Sequence, residues 1–258
     1  MEIKEESGSV HTKYPLTFFL IAANVIVFIL VFSLPEESME WVFHTLSFSS
    51  PTMFEFWRWF TSLFLHVSAS HLFFNMLGLY FFGKVVEEET DRPWFLSIYF
   101  LSGILGTFAF MLTSADPVVG ASGCVFGIMG AAMLMNPTKR IHLYIFPLPL
   151  GVVAVSFVVI ETLIVYFQPE ALVGVAENVA NIAHIGGALT GAVFAFFNDP
   201  KRSMKGVLVL GICLVLLLLL APVFGIIALI AGFALNVIDT VIGFILYGIS
   251  NLISPIWG

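Results

Sequence analysis

The sequence predicts an all-α fold, a polytopic bundle of membrane-spanning helices. Of the 258 residues, 59% are hydrophobic and only 10% are charged, and the mean hydropathy is +1.03. A chain of this composition is not an ordinary soluble protein. Apolar stretches of about 20 residues, the length that crosses a bilayer, recur along it. We expect seven spans, at 16–34, 71–86, 94–113, 122–136, 148–167, 178–197 and one that starts near 206.

The placement of lysine and arginine predicts the orientation of these spans. Cytoplasmic loops retain basic residues. With a cytoplasmic amino terminus, nine of the ten basic residues fall on the cytoplasmic side and only Arg58 lies outside. The first span should be an anchor, since no small-residue cleavage site follows it. No organelle-targeting sequence precedes that span, so we expect the plasma membrane of a prokaryote.

Charge and cysteine content exclude several classes of function. The net charge is −7 and no basic stripe is present, which argues against nucleic acid as a partner. Cys124 and Cys213 lie in apolar stretches and should act as small hydrophobic residues rather than form a disulfide or bind a metal. Neither a metal nor any other cofactor is expected. The expected partners are membrane lipid and other transmembrane segments.

The segments at the start of the chain suggest tail, loop and anchor roles. Residues 1–13 are polar and should form a cytoplasmic tail, whereas 35–70 is a long, aromatic outer loop suited to the membrane interface. Within it, Trp57-Arg58 is either an anchor to lipid headgroups or a brace for the loop. Glu87, at the end of the second span, is expected to lie in a solvated acidic loop; the alternative is that it closes a hydrogen-bond network at the inner end of the bundle.

The second span opens with a pair of polar side chains. His71 and Asn75 are four residues apart, so they share one helical face near the outer surface. Polar groups in membrane helices usually face the bundle interior or a water-filled cavity, which makes the pair a candidate site. A hydrogen bond between packed helices is the alternative. His66, one turn earlier, could hold the loop by hydrogen bonding.

The fourth span begins with a serine between glycines. Gly120 and Gly123 flank Ser122, and the first amides of the helix that follows have no acceptor within that helix. These amides could bind an oxyanion. Serine is also a common helix N-cap, and glycine-serine patches let membrane helices pack closely.

The sixth span carries a histidine on a glycine face. His184, Gly187 and Gly191 are spaced i, i+3 and i+7, and the fourth span offers a matching face of small residues. If the two faces meet, His184 can reach Ser122 and act as its base. A packing or proton-relay role is the alternative for a membrane histidine.

The carboxyl-terminal segment, 201–258, is predicted to add a span and an amphipathic helix. An apolar run starts at Gly206, and small and polar residues then recur at three- and four-residue steps from Asn236 to Ser254. The final helix should lie in the outer interface or form an eighth span.

Taken together, these motifs resemble the rhomboid family of intramembrane serine proteases over about residues 16–197. The resemblance rests on Trp57-Arg58, His71-x-x-x-Asn75, Gly120-x-Ser122-Gly123 and Ala183-His184-x-x-Gly187. It implies a six-span rhomboid-like core at 14–200, followed by the additional C-terminal span.

The same resemblance implies the roles of the site residues. Ser122 would be the nucleophile and His184 the general base, with the active site facing the extracytoplasmic side. His71, Asn75 and the Ser122 amide would form the oxyanion hole, with Gly120 and Gly123 beside them. The supporting residues would be Phe126, which packs on the catalytic imidazole, and Trp57, Arg58 and Gly187.

The implied function is that of a serine endopeptidase that cleaves single transmembrane segments of client proteins through an acyl-enzyme. The alternative is a catalytically silent relative that binds and routes such clients. A metalloprotease would need His-Glu-x-x-His, and an aspartyl protease would need two membrane aspartates, whereas Asp239 is the only aspartate in a hydrophobic helix. A small-solute transporter is disfavoured because paired broken helices are missing.

Overall fold

The computed structural model describes residues 13–143, 146–157 and 177–257, and these residues are largely helical. In chain order the helices are α1 (Pro15–Phe32), α2 (Glu36–Leu46), α3 (Arg58–Thr61), α4 (Ala69–Gly78), α5 (Lys84–Glu89), α6 (Arg92–Met111), α7 (Ser122–Met135), α8 (150–157), α9 (Glu177–Asn198) and α10 (Pro200–Trp257). A π-helical turn, Leu79–Gly83, joins α4 to α5, and 3-10 turns lie at Ser50–Thr52 and Ser62–Phe64. Each predicted span therefore contains a helix where the structure describes it, although the fifth begins two residues late because 148 and 149 lie in a β-strand.

Helix α7 is the centre of the bundle. Twelve of its 14 residues are buried, and it packs between α6 and α9. At a rise of about 1.5 Å per residue, 14 residues extend only about 21 Å, less than the hydrocarbon thickness of a bilayer. The amino end of α7 can therefore lie below the outer surface while its carboxyl end lies near the inner one.

Glycines bring α7 and α9 into backbone contact. A Cβ on Gly187 would overlap the carbonyl oxygen of Gly123, and a Cβ on Gly191 would overlap that of Gly127. The two glycine faces meet, as the sequence predicted. Only glycine allows this approach, so the contact fixes how α9 is rotated against α7.

The third helix of this core, α6, packs by the same means. A Cβ on Gly106 would lie 2.6 Å from the carbonyl oxygen of Ala183 in α9, and Gly103 lies against Gly123 and the Cys124 side chain. Cys124 is buried and is not in a disulfide. The helices α6, α7 and α9 thus form one tightly packed unit.

Glu87 differs from its prediction. Its carboxylate accepts hydrogen bonds from the amides of Leu16 and Thr17, at 2.8 and 2.9 Å, and from the Thr17 hydroxyl at 2.6 Å. The favoured expectation of a solvated acidic loop is therefore wrong, and the alternative, a hydrogen-bond network closed by Glu87, is confirmed. Tyr14, the N-cap of α1, provides no side-chain cap, so Glu87 satisfies the first-turn amides of α1 from another helix.

Basic residues from distant parts of the sequence gather beside Glu87. Glu88 pairs with Lys13 at 2.6 Å and with Lys139, and Arg202 reaches Glu89 at 2.7 Å. The hydrogen bond to Glu88 raises the pKa of the Lys13 ammonium above its usual range. Lys13, Lys139 and Arg202, three of the nine basic residues expected on the cytoplasmic side, thus cluster at one end of the bundle, which we call the inner end.

A β-hairpin follows α7, and the all-α prediction did not include it. Strands β1 (Arg140–Leu143) and β2 (Phe146–Pro149) pair antiparallel, with Arg140 opposite Pro149 and Leu143 opposite Phe146. Prolines at 147 and 149 lack an amide donor and usually mark turns or edge strands. In a two-stranded sheet both strands are edges, so the prolines are tolerated.

The carboxyl-terminal segment is one continuous helix, α10, rather than a span followed by a separate amphipathic helix. Within the described residues, three helical stretches are long and apolar enough to span a membrane, Pro15–Phe32, Arg92–Met111 and Gly232–Ile249. A fourth is found if Arg58–Phe64 and Ala69–Glu89 form one bent span. The count of seven spans stays a prediction, and half of the fifth span, 148–167, lies outside the described residues.

The glycine contact predicts that an added methyl group lowers stability at the interface between α7 and α9 but not on the open face of α10. Gly191→Ala should lower the free energy of unfolding by about 1–3 kcal/mol, the usual effect of overpacking, because the new Cβ meets the backbone of α7. Gly243→Ala on α10 is the matched control, since a Cβ there meets nothing within 4 Å. Thermal unfolding in detergent should show a lower midpoint for Gly191→Ala alone. Equal midpoints for the two variants would contradict this packing.

Candidate active site

Ser122 is the first residue of α7 and lies at an uncapped helix end. The N-cap position is Ala121, whose side chain offers no hydrogen bond to the first turn. The amides of Ser122 and Gly123 therefore point out of the helix without intrahelical acceptors, at the positive end of its dipole. Ser122 itself is half-buried. A hydroxyl and amide donors thus lie side by side at the end of the bundle opposite the inner end, which we call the outer end.

The loop that precedes Ser122 is fastened to the outer loop. Val118 and Phe48 exchange backbone hydrogen bonds of 2.7 and 3.2 Å, and the Gly120 amide donates to the Ser62 carbonyl at 2.9 Å. Gly120 has φ +120°, a conformation that other residues rarely adopt. Because its amide is already paired, Gly120 does not act as an oxyanion donor in this geometry.

His71 lies directly against Gly120. A Cβ built on Gly120 would be 2.6 Å from Cε1 and 2.8 Å from Nε2 of the imidazole. The amide of His71 is held by the N-cap of α4, the Ser68 hydroxyl, at 3.1 Å. Its Nδ1 is buried and has no hydrogen-bond partner among the described residues. The absence of a side chain at Gly120 therefore creates the space that the ring fills.

The carboxamide of Asn75 makes a hydrogen bond within its own helix. Its Nδ2 donates to the His71 carbonyl at 3.0 Å, one turn back in the same helix, and the residue is buried. His71 and Asn75 therefore share a helical face, as predicted, but the Nδ2 hydrogen bond of Asn75 is made within α4.

His184 reaches the site from α9 and stacks on Phe126. The two ring centroids are 4.1 Å apart and the planes differ by 7°, which fixes the plane of the imidazole. His184 also lies within electrostatic range of His71. In the part of the chain that the structure describes, no hydrogen bond joins Ser122 to His184. The structure thus supports the predicted contact with Phe126 and leaves the predicted serine-histidine pairing unformed.

Arg58 braces the outer loop, one of the two roles that the sequence left open. Its Nη1 donates to the carbonyls of His44 and Ser47 at 2.6 and 2.9 Å, and its Nε pairs with Glu55 at 2.7 Å. The residue is buried, whereas Trp57 beside it is 53% exposed. Trp57 therefore remains suited to the membrane interface, and neither residue touches Ser122.

His66 is closer to Ser122 than the sequence suggested. Its Nε2 accepts from the Ala121 amide at 3.5 Å and its Nδ1 contacts the Phe64 carbonyl at 3.3 Å. Its ring centroid is 5.0 Å from that of His71. The prediction that His66 holds the loop is confirmed, but no local pattern indicated that it would hold the residue before Ser122.

No group of three His, Cys, Asp or Glu side chains that could hold a metal ion is found among the described residues. Cys213 lies among the residues whose side chains the structure does not describe.

Comparison with known proteins agrees with this architecture. The family model of the Rhomboid domain matches residues 53–201, which include every site residue discussed above from Trp57 to Gly187. The fold is that of a helical, multi-pass membrane protein with a serine at the head of its central helix. The chain belongs to the rhomboid family.

Three relatives illustrate the extent of the similarity. Rhomboid protease GluP of Bacillus subtilis is 34% identical over 141 residues, 55% of this chain and 25% of the relative. RHOMBOID-like protein 1 of Arabidopsis thaliana is 34% identical over 143 residues, 55% of this chain and 34% of the relative. Rhomboid protease GlpG of Yersinia pseudotuberculosis is 27% identical over 194 residues, 75% of this chain and 66% of the relative. The matches thus cover between a quarter and two thirds of these relatives.

The contact between Gly120 and His71 makes a testable prediction. Gly120→Ala combines a disfavoured φ with a clash against the ring, and it should destabilise the fold by about 1–3 kcal/mol. Gly248→Ala, at a position where a Cβ meets open space, is the control. Thermal unfolding in detergent measures both variants. Retention of the wild-type midpoint in Gly120→Ala would show that His71 does not fill this space.

Proposed function

We propose that the chain is an intramembrane serine endopeptidase that uses Ser122 as nucleophile and His184 as general base. The observation that carries this proposal is the uncapped start of α7. A serine hydroxyl and unpaired amides lie there together, and His71 and the Phe126-stacked His184 line the same region. The relatives GluP and GlpG are named as rhomboid proteases, which supports it.

The first half of the reaction forms an acyl-enzyme. Ser122 Oγ attacks the scissile carbonyl carbon while its proton passes to a ring nitrogen of His184. The tetrahedral intermediate then collapses, the C–N bond breaks, and the proton on His184 passes to the leaving amine. Water, deprotonated by His184, hydrolyses the ester and restores the Ser122 hydroxyl.

His184 must move toward Ser122, or Ser122 must change rotamer, before this proton transfer. Such hydrogen bonds are often long or misaligned before substrate binds. The stack on Phe126 restrains the plane of the imidazole, so a movement of His184 should occur within that plane. In this dyad, packing on Phe126 orients the base in place of the carboxylate of a Ser-His-Asp triad.

The developing oxyanion would be held at the amino end of α7. The Ser122 amide is one donor and the imidazole N–H of His71 a second, at the positive end of the helix dipole. Asn75 can contribute through the second N–H of its carboxamide, since the His71 carbonyl uses only one. Gly123 has a different role, since its backbone packs on α9 and α6.

The proposed substrate is a single transmembrane segment of a client protein. Its scissile bond must unwind before attack, because carbonyls in a helix are already hydrogen-bonded. The basic cluster at the inner end supports a cytoplasmic amino terminus, with Ser122 facing the other side of a prokaryotic plasma membrane.

Client cleavage tests this proposal. The wild type should cut a single-span model substrate in liposomes, and Ser122→Ala and His184→Ala should each lower kcat by at least about 10³-fold, as loss of a nucleophile or its base does. Thr240→Ala, an exposed change on α10, controls for handling of the membrane protein.

The alternative, client binding without cleavage, has one observation in its favour, the missing hydrogen bond between Ser122 and His184. If the wild type binds several unrelated single-span substrates and cuts none of them, that alternative replaces the protease.

A further inference from the structure

Asp239 of α10 forms a hydrogen bond that the mechanism above does not use. Its Oδ1 accepts from the backbone amide of Ser70 at 2.6 Å, although 169 residues separate the two in sequence. Ser70 is the second residue of α4 and directly precedes His71. Helix α10 therefore contacts α4 at the residue that directly precedes a proposed oxyanion donor.

One face of α10 makes this approach. Asp239, Ile242 and Leu246 are half-buried at i, i+3 and i+7, whereas the neighbouring Val241 and Phe244 are exposed. Leu246 packs against the main hydrophobic core. The hydrogen bond is therefore part of a continuous helix contact rather than an isolated meeting of two side chains.

The other end of α10 is fixed at the inner end of the bundle. A Cβ on Gly206 would lie 2.6 Å from the Cα of Leu134 in α7, and Arg202 pairs with Glu89 and Asn136. Helix α10 thus joins the inner end of α7 to the outer end of α4.

We propose that Asp239 is a positioning residue of the active site, which holds the first turn of α4 so that His71 faces the amino end of α7. This inference rests on the proposed function, since it gives a role to a residue that acts through His71. It also assigns a catalytic purpose to the segment beyond the matched Rhomboid domain, which ends at residue 201.

The physical argument starts from the first-turn amides of α4. They have no acceptors within the helix, and two of them are satisfied from outside, His71 by Ser68 and Ser70 by Asp239. A carboxylate is the strongest such acceptor because it also interacts with the helix dipole. Without Asp239 the turn keeps only the Ser68 cap and can fray.

The second oxygen of Asp239 supports a specific rather than incidental contact. Oδ2 is buried and has no hydrogen-bond partner among the described residues. Burial of a carboxylate oxygen in apolar surroundings is unfavourable, so packing of the helices alone would favour an apolar residue here. The favourable contact that the carboxylate makes at this position is the hydrogen bond that Oδ1 accepts from the Ser70 amide.

The test compares substitutions of Asp239 in the full-length chain. Asp239→Ala removes the acceptor, Asp239→Asn keeps an oxygen in nearly the same place, and Thr240→Ala is the adjacent exposed control. Two rates are measured, labelling by a small fluorophosphonate and cleavage of a single-span substrate in liposomes. Size-exclusion profiles and thermal midpoints monitor folding.

We expect Asp239→Ala to lower kcat and the labelling rate about tenfold, equivalent to roughly 1.4 kcal/mol of transition-state stabilisation, with KM unchanged. Asp239→Asn should stay within about threefold of wild type, since the acceptor is retained. Rescue by asparagine, together with an unchanged KM, separates positioning from a general loss of structure.

The outcomes separate this inference from the proposed function. A wild type that neither labels nor cleaves overturns the protease itself. A reactive wild type with equally reactive Asp239→Ala overturns only the role of Asp239. Should Asp239→Ala fail to fold, hydrogen exchange of the wild type decides, since a paired Ser70 amide exchanges slowly and fast exchange contradicts the contact.

Discussion

Backbone contact between α7 and α9 is the constraint on which the site depends. Glycines at 187 and 191 allow the carbonyls of α7 to lie where side chains would otherwise be. This approach sets the rotation and depth of α9, and with them the place where His184 meets Phe126. In a membrane, where lipid tails compete with apolar side chains, such close packing is also what holds helices together.

The outer loop serves the site from the opposite direction. Arg58 gathers the carbonyls of His44 and Ser47, and the loop in turn holds the approach to Ser122 through Phe48, Ser62 and His66. The serine is therefore fixed on one side by helix packing and on the other by a hydrogen-bonded loop. Displacement of either support would move the hydroxyl relative to His71 and His184 without any change in the reacting groups.

Features with a local pattern could be predicted from the sequence. Apolar runs located the helices, glycine spacing located the contact between α7 and α9, and motif spacing located Ser122, His71 and His184 at the same end of the bundle. The stack of Phe126 on His184 followed from the family resemblance. Each of these depends on residues a few positions apart or on one repeated helical face.

Contacts between single residues far apart in sequence could not be predicted. The carboxylate of Glu87 caps α1 across 70 residues, and Asp239 caps α4 across 169. In the sequence, Glu87 lies in a run of glutamates and Asp239 in an apolar stretch. Their hydrogen-bond partners become visible only in the folded structure. The hairpin at 140–149 was missed for another reason, because its prolines favour a turn over a strand.

The most direct test of the account is to identify the residue modified by a fluorophosphonate. Peptide mass mapping of the labelled wild type should place the adduct on Ser122, and both Ser122→Ala and His184→Ala should abolish it. An adduct on another serine, or full labelling of Ser122 in His184→Ala, would contradict the proposed dyad.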